Sequence, residues 1–227
     1  SSANLKISGG WDLTTQTQTG QTWFRQMHGT FSNRYGYGLY LSGKSYTNLD
    51  KLNFLRYTAG IYYASGSSNN TITSATCNSN SYGIYYSGGS NNTITSATCN
   101  SNNNYGIYYY SGSNNTITSA TCNSNNYGIY YSGSNSNTIT SATCNSNSYG
   151  IYYSGSNNTI TSATCNSNTN YGIYYYSGSS NNNIYALSTT GNTTGAIYAD
   201  SANNICHNAT IAESTKVAIG TDNYANT

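Results

Sequence analysis

The sequence predicts an all-β fold, a right-handed parallel β-helix (β-solenoid) of about nine coils of roughly 22 residues each. Three observations carry this. A unit of that length recurs, starting at Asn69, Asn91, Asn114, Ser136, Asn157, Asn181 and Asn203. Each unit holds two alternating segments, such as Thr71 to Cys77 and Tyr82 to Tyr86, separated by Asn, Ser and Gly. No unit shows a 3.6-residue apolar period or a helix-favouring composition.

Taken in order, the coils begin irregularly. Ser1 to Trp11 is a weak match to a first coil, and Tyr37 to Gly43 repeats the second strand of the unit. Leu49, Phe54 and Ile61 take the phases of Ile72, Cys77 and Ile84, which makes Tyr46 to Ser68 a full coil. The reading is one domain: 1–45 as irregular N-terminal coils or a cap, 46–202 as regular coils, 203–227 as a C-terminal coil. Nine coils at about 4.8 Å give a rod roughly 40 Å long. The right-handed sense follows from the handedness of crossovers between parallel strands.

The pattern Asn69-Asn-Thr-Ile-Thr73 followed by Tyr82-Gly-Ile-Tyr85 resembles the Asn-rich right-handed parallel β-helix repeat. That repeat occurs in polysaccharide lyases, uronan epimerases and many surface or periplasmic proteins. The resemblance covers roughly residues 37–219 and implies the fold. It implies little about function, because this fold hosts many roles.

Stacked coils place equivalent residues in columns. Ile72, Ile94, Ile117, Ile139 and Ile160 form one inward column, and Ile84, Ile107, Ile129, Ile151 and Ile173 another. Cys77, Cys99, Cys122, Cys144 and Cys165 form a third, read as buried structural thiols because Phe54 fills the same slot upstream. Cys206 falls off this phase. Asparagines at the turns are expected to stack as amide ladders. Asn69, Asn91, Asn114, Asn157, Asn192 and Asn208 also fit the N-glycosylation acceptor motif, in competition with the ladder for the same side chains.

Two outward stripes are candidate binding surfaces. Tyr85, Tyr108, Tyr130, Tyr152 and Tyr174 each follow an inward Ile and form an aromatic stripe suited to sugar or protein. Thr73, Thr95, Thr118, Thr140 and Thr161, with their partners at Thr71 and its equivalents, form a Thr-x-Thr grid. That grid resembles the ice-binding face of some β-solenoid antifreeze proteins. The orientation of Tyr86 and its equivalents stays open, and the extra Tyr110 and Tyr176 in the longer coils blur the register.

The chain is 5% charged, and between Arg56 and Asp200 it has no Asp, Glu, Lys, Arg or His. Enzyme activity is therefore not expected, since lyases and glycosidases use carboxylates with Arg or Lys. No cofactor or metal site is expected either. Residues 1–56 carry six cations, including Arg25, Lys51 and Arg56, against two carboxylates. The end from residue 200 carries Asp200, Glu213 and Asp222 against Lys216. Opposite ends suggest head-to-tail stacking of the chain on itself into an extracellular filament or surface layer. The alternative is a binding module that presents its Tyr or Thr ladder to carbohydrate or ice. Nucleic acid is not an expected partner, because no basic stripe runs along the coils, and no apolar run approaches the ~20 residues that insert in a bilayer. The start at Ser1-Ser2-Ala3 is expected of a secreted chain after removal of a signal peptide.

Overall fold

The computed structural model describes residues 36–199, 201 and 203–213 in full. Outside these it describes the backbone of the strands Lys6–Ser8, Trp11–Asp12, Thr17–Gln18, Thr22–Arg25, Ala218–Ile219 and Tyr224–Asn226.

Each regular coil is three extended segments joined at sharp corners. At each corner a single residue takes the left-handed conformation. Asn69 (φ 56°) precedes Thr71–Thr73, Ser74 (φ 52°) follows it, and Ser79 (φ 56°) follows Thr76–Asn78. Asn and small polar residues enter that conformation at least cost among residues with a Cβ. The corners recur as Asn91, Ser96 and Ser101, then Asn114, Ser119 and Ser124. The turn chemistry of the repeat therefore sets the cross-section of the rod.

Stacked coils make three parallel sheets. One has ten strands, running from Lys6–Ser8 through Asn48–Asp50 and the Thr-Ile-Thr strands to Tyr224–Asn226. The second has nine, from Tyr37–Ser42 through Tyr82–Ser87 and its equivalents to Ala218–Ile219. The third runs Thr22–Arg25, Leu52–Leu55, Thr76–Asn78. Single bridges continue it through Thr98, Thr121, Thr143 and Thr164 to Ser188. Pairing is in register, Ile72 with Ile94 with Ile117 and Ile84 with Ile107 with Ile129. A position in the repeat is thus a column in space, as the all-β solenoid reading requires. The N-terminal region does more than cap: Phe24 pairs with Phe54, which pairs with Cys77. Trp11–Asp12 and Thr17–Gln18 form an antiparallel pair.

The interior holds the two Ile columns, the Cys column and a fourth column that the sequence left open. Tyr63, Tyr86, Tyr109, Tyr131, Tyr153 and Tyr175 point inward and are buried. Their rings stack, for example 4.7 Å between Tyr86 and Tyr109 and 4.9 Å between Tyr109 and Tyr131. The hydroxyls of Tyr86, Tyr109, Tyr131, Tyr153 and Tyr175 have no hydrogen-bond partner among the described residues. Cys206 pairs with Ile184 and so lies in an Ile column.

Glycine supplies the clearance beside the thiols. A Cβ on Gly106 would sit 2.5 Å from the carbonyl oxygen of Gly128 and 3.0 Å from Cys122 Cβ. Gly83, Gly128 and Gly150 meet the same obstruction.

Two asparagine ladders run along the rod. In one, the Nδ2 atoms of Asn70, Asn92, Asn115, Asn137, Asn158 and Asn182 each donate to Oδ1 of the next coil's asparagine, at 2.9 to 3.1 Å. Each acceptor also takes the backbone N–H of the same donor residue, as Asn115 does from Asn92 at 2.9 Å. The other ladder includes Asn102, Asn125, Asn147, Asn168 and Asn192 and ends on the Glu213 carboxylate. Buried amides are tolerated here because nearly every donor and acceptor is paired.

Candidate functional site

The outward side of the nine-stranded sheet is a wall of tyrosine. Strand alternation turns Tyr85 outward while Ile84 and Tyr86 turn inward. Tyr82 shares the parity of Ile84 but is half-exposed, because the alternation breaks at the buried Gly83 between them. One column is Tyr62, Tyr85, Tyr108 and Tyr130, with centroid separations of 4.5, 4.9 and 5.2 Å. It continues to Tyr152, Tyr174 and Tyr198. A second column, Tyr82, Tyr105, Tyr127 and Tyr149, lies beside it at separations of 5.4, 5.1 and 5.3 Å. The first column was legible as an alternation; the second was missed, because Tyr82 stands two residues before Ile84 at the inward parity and is turned outward only by the break in alternation at Gly83.

Ring geometry decides what the wall offers. Rings one coil step of about 4.8 Å apart, with planes about 3.5 Å apart, must have normals inclined about 43° to the rod axis. Most ring faces are therefore covered by neighbours, leaving edges and hydroxyls toward solvent. Two stacks of opposite inclination would differ by about 86° on the same geometry. Such a reversal occurs between Tyr130 and Tyr152, whose planes make 85°, and Tyr127 and Tyr152 make 90°. Tyr110 and Tyr176 stand out of the wall, 50% and 51% exposed, with their rings 6.3 Å from Tyr108 and Tyr152 respectively.

The wall is electrically quiet. Partial burial, and then the neighbouring phenols, push Tyr105 up to about 12. The same two causes raise Tyr108 and Tyr152. At ordinary pH these phenols are neutral, able both to donate and to accept hydrogen bonds.

The other sequence-predicted residues fall elsewhere. Thr73, Thr95, Thr118, Thr140 and Thr161 line the ten-stranded sheet, half-buried and in register. Cys77, Cys99, Cys122, Cys144 and Cys165 are free thiols at 0% exposure. Burial raises Cys77 and Cys122 well above the usual thiol range, since a thiolate there would have neither water nor a cation beside it. Lys51 and Arg56 occupy left-handed corners, φ 53° and 70°. Glu213 accepts hydrogen bonds from Thr189 and Asn192, so its carboxylate is engaged as a ladder terminus. Asp200 and Asp222 lie outside the described residues, as does the side chain of Arg25.

One sequence expectation needs correcting in its detail. At Asn91, Asn114 and Asn157 the acceptor asparagine is exposed, and the ladder uses the next residue, Asn92, Asn115 or Asn158. Ladder and glycan do not compete at those turns. At Asn192 they do, because this side chain is itself in the ladder and 4% exposed.

Fold and wall together define a class: right-handed parallel β-helices with a polymer-length face. The chain belongs to the family described as periplasmic copper-binding protein (NosD), whose model matches residues 16–187. No curated protein matches the sequence. Among solved structures, the periplasmic alginate epimerase AlgG is similar at TM-score 0.70 and 14% identity, over 90% of this chain and 58% of AlgG. Pectate lyase Pel9A matches at TM-score 0.70 and 15% identity, over 99% of this chain and 66% of that one. The A-module of the Azotobacter vinelandii mannuronan C-5 epimerase AlgE6 matches at TM-score 0.57 and 12% identity, over 92% and 57%. The chain thus spans about three fifths of the length of these proteins, and at such identities the likeness shows the fold.

The expectation of no enzyme activity is overturned as an argument from this architecture. Epimerases and a lyase share it, so the fold is one that carries catalysis. The charge count also overlooked a titratable group, because tyrosine serves as a general acid or base and the chain has 27.

The family's description raises copper, and the donor set can be tested against it. Thiolates suit Cu(I), yet the Cys column is sealed at 0% exposure. Among the described residues no three His, Cys, Asp or Glu side chains converge. His207 stacks flat against Tyr185 at 5.0 Å, while Cys206 beside it points inward. The described residues do not fit a copper centre.

Proposed function

We propose that this chain is a carbohydrate-binding β-helix of the cell envelope or extracellular space, holding an extended, uncharged glycan along its tyrosine wall. The observation that carries the reading is the double column of half-exposed tyrosines. It spans the regular coils and presents neutral hydroxyls and ring edges. Such a surface joins apolar ring edges to hydroxyls that can exchange hydrogen bonds with sugar hydroxyls. The similar proteins are named for alginate, mannuronan and pectate, and the family is described as periplasmic. This wall offers no cation between Arg56 and Asp200, so a polyanion would have no partner charge. A neutral polymer suits it better.

The test is affinity electrophoresis against neutral polysaccharides and alginate, with a Tyr105→Ser, Tyr108→Ser, Tyr130→Ser triple variant. Retarded migration in a neutral glycan that the triple variant loses supports the reading. Undiminished retardation of the variant sinks it, as does binding to alginate alone that vanishes with salt.

Head-to-tail stacking is the second reading, and one observation favours it. The strands of both long sheets run parallel from Lys6–Ser8 to Tyr224–Asn226 and from Tyr37–Ser42 to Ala218–Ile219, so the edge strands at opposite ends of each sheet are of the kind that can pair. Negative-stain electron microscopy across a salt series separates filaments from dispersed rods.

A further inference from the structure

We infer that the wall carries a discrete oligosaccharide subsite, a notch between Tyr110 and Tyr176 with Ser132 and Ser154 as its floor; the inference rests on the carbohydrate reading above. Ser87, Tyr110, Ser132 and Ser154 occupy one outward position in four consecutive coils, paired in register. Tyr176 holds that position in the coil after Ser154, since it follows Tyr175, which pairs with Tyr153. Both tyrosines come from lengthened repeats, those beginning at Asn91 and Asn157. They are the two half-exposed large side chains of this column, 50% and 51%.

Three coil steps separate them, roughly 14 Å. Subtracting the thickness of the rings leaves about 10 Å, enough for about two pyranose rings. On one side the notch is bounded by Tyr130 and Tyr152, where the ring inclination reverses and the planes meet at 85°. On the other side each serine is followed by glycine, Gly133 or Gly155, so no side chain rises there. The Ser132 hydroxyl lies close to the phenol of Tyr108. Tyr176 leans over the notch toward Tyr152 of the preceding coil, 6.3 Å between centroids.

The chemistry recognised follows from the lining. Ring surfaces at each end suit the C–H faces of pyranoses, and the serine and tyrosine hydroxyls suit equatorial hydroxyl groups. The absence of charge selects a neutral ligand. Among the described residues of this sheet, rings of like exposure are otherwise found at Tyr37 and Tyr40, in its N-terminal strand, at 46% and 50%; the columns between would guide a longer chain without fixing its register.

The experiment is calorimetric titration of the full chain with cellohexaose, maltohexaose, chitohexaose and mannohexaose, with an alginate hexamer as the charged control. Variants are Tyr110→Ser, Tyr176→Ser, Ser132→Tyr to fill the notch, and Tyr85→Ser on the wall outside it. All four are surface changes, and circular dichroism checks that the sheet is kept. The notch predicts a loss of about threefold to tenfold for either end tyrosine, abolition by Ser132→Tyr, and a smaller loss for Tyr85→Ser than for either end tyrosine. If Tyr85→Ser weakens binding as much as Tyr110→Ser and Ser132→Tyr does not, the notch is wrong while the wall still binds carbohydrate. If the unaltered chain binds none of the neutral sugars, the carbohydrate reading falls and the notch falls with it.

Discussion

Alkaline pH is the perturbation to which this rod should be most sensitive. Six phenols are buried in its core: Tyr63, Tyr86, Tyr109, Tyr131, Tyr153 and Tyr175. Burial pushes Tyr86, Tyr109, Tyr131 and Tyr153 well above their ordinary value, and lifts Tyr63 to about 12 against a partly opposing hydrogen bond from Thr47. In the unfolded chain the same groups ionise near 10. Between these values the folded state holds more protons, so its stability must fall as pH rises. It is whole below about pH 9 and is lost progressively from about 10 upward through the folded-state values. Each phenol contributes a slope of about 1.4 kcal/mol per pH unit, hence roughly 8 kcal/mol per unit for six. A domain has only about 5–15 kcal/mol to lose. Unfolding should therefore come within about one to two pH units above 10. Phenolate absorbance and far-ultraviolet circular dichroism, followed together, provide the assay. The six buried phenols should ionise in one cooperative step that coincides with loss of the sheet. A single ordinary titration of all 27 phenols with the sheet signal unchanged would refute the reasoning.

Other perturbations have signs fixed by the same structure. Tyr109→Phe removes a hydroxyl that has no partner among the described residues, and should stabilise the rod by up to about 1 kcal/mol in urea melts; a loss of similar size would mean that the hydroxyl is paired. Gly106→Ala forces a Cβ to 2.5 Å from the Gly128 carbonyl oxygen, and should cost about 2–4 kcal/mol by the same measurement. Asn115→Ala strips the acceptor from both the backbone N–H and Nδ2 of Asn92, for a loss of about 2–6 kcal/mol. In an N-glycosylating host, site mapping by mass spectrometry should find Asn91, Asn114 or Asn157 modified in folded protein and Asn192 unmodified. Occupied Asn192 in material with an intact sheet would contradict its place in the ladder.

What the sequence disclosed, and what it withheld, follow one physical line. Columns at strict parity to an Ile were legible, because strand alternation alone assigns Ile84 inward and Tyr85 outward. Tyr86 obeys the same rule, but two adjacent tyrosines with like side chains offer no polarity contrast to settle which is buried. Only the packing shows that its ring completes a stack inside the core while Tyr85 stays outside. The ladder asparagine was hidden for a similar reason. In Asn91-Asn92 one residue must take the left-handed corner and the other turn inward, and composition cannot order identical residues. Tyr110 and Tyr176 first read as noise in the repeat lengths. In space each lengthened coil keeps register and lifts one ring out of an otherwise level column.

The neighbours that share this architecture sharpen what an uncharged wall can recognise. A polyuronate such as alginate or pectate brings a carboxylate on each sugar, and docking it on this face would take those charges partly out of water with no Lys or Arg to meet them between Arg56 and Asp200. A neutral glycan incurs no such penalty, because each of its hydroxyls can exchange water for a phenol, serine or asparagine of the same polarity. On the carbohydrate reading proposed above, specificity would lie in which ligand is not rejected. Introducing one cation on the floor of the notch, as Ser154→Lys, should therefore raise affinity for an alginate hexamer in a salt-sensitive way while lowering that for neutral sugars. An alginate affinity already present in the unaltered chain, and indifferent to the lysine, would show that the wall recognises its ligand by something other than charge.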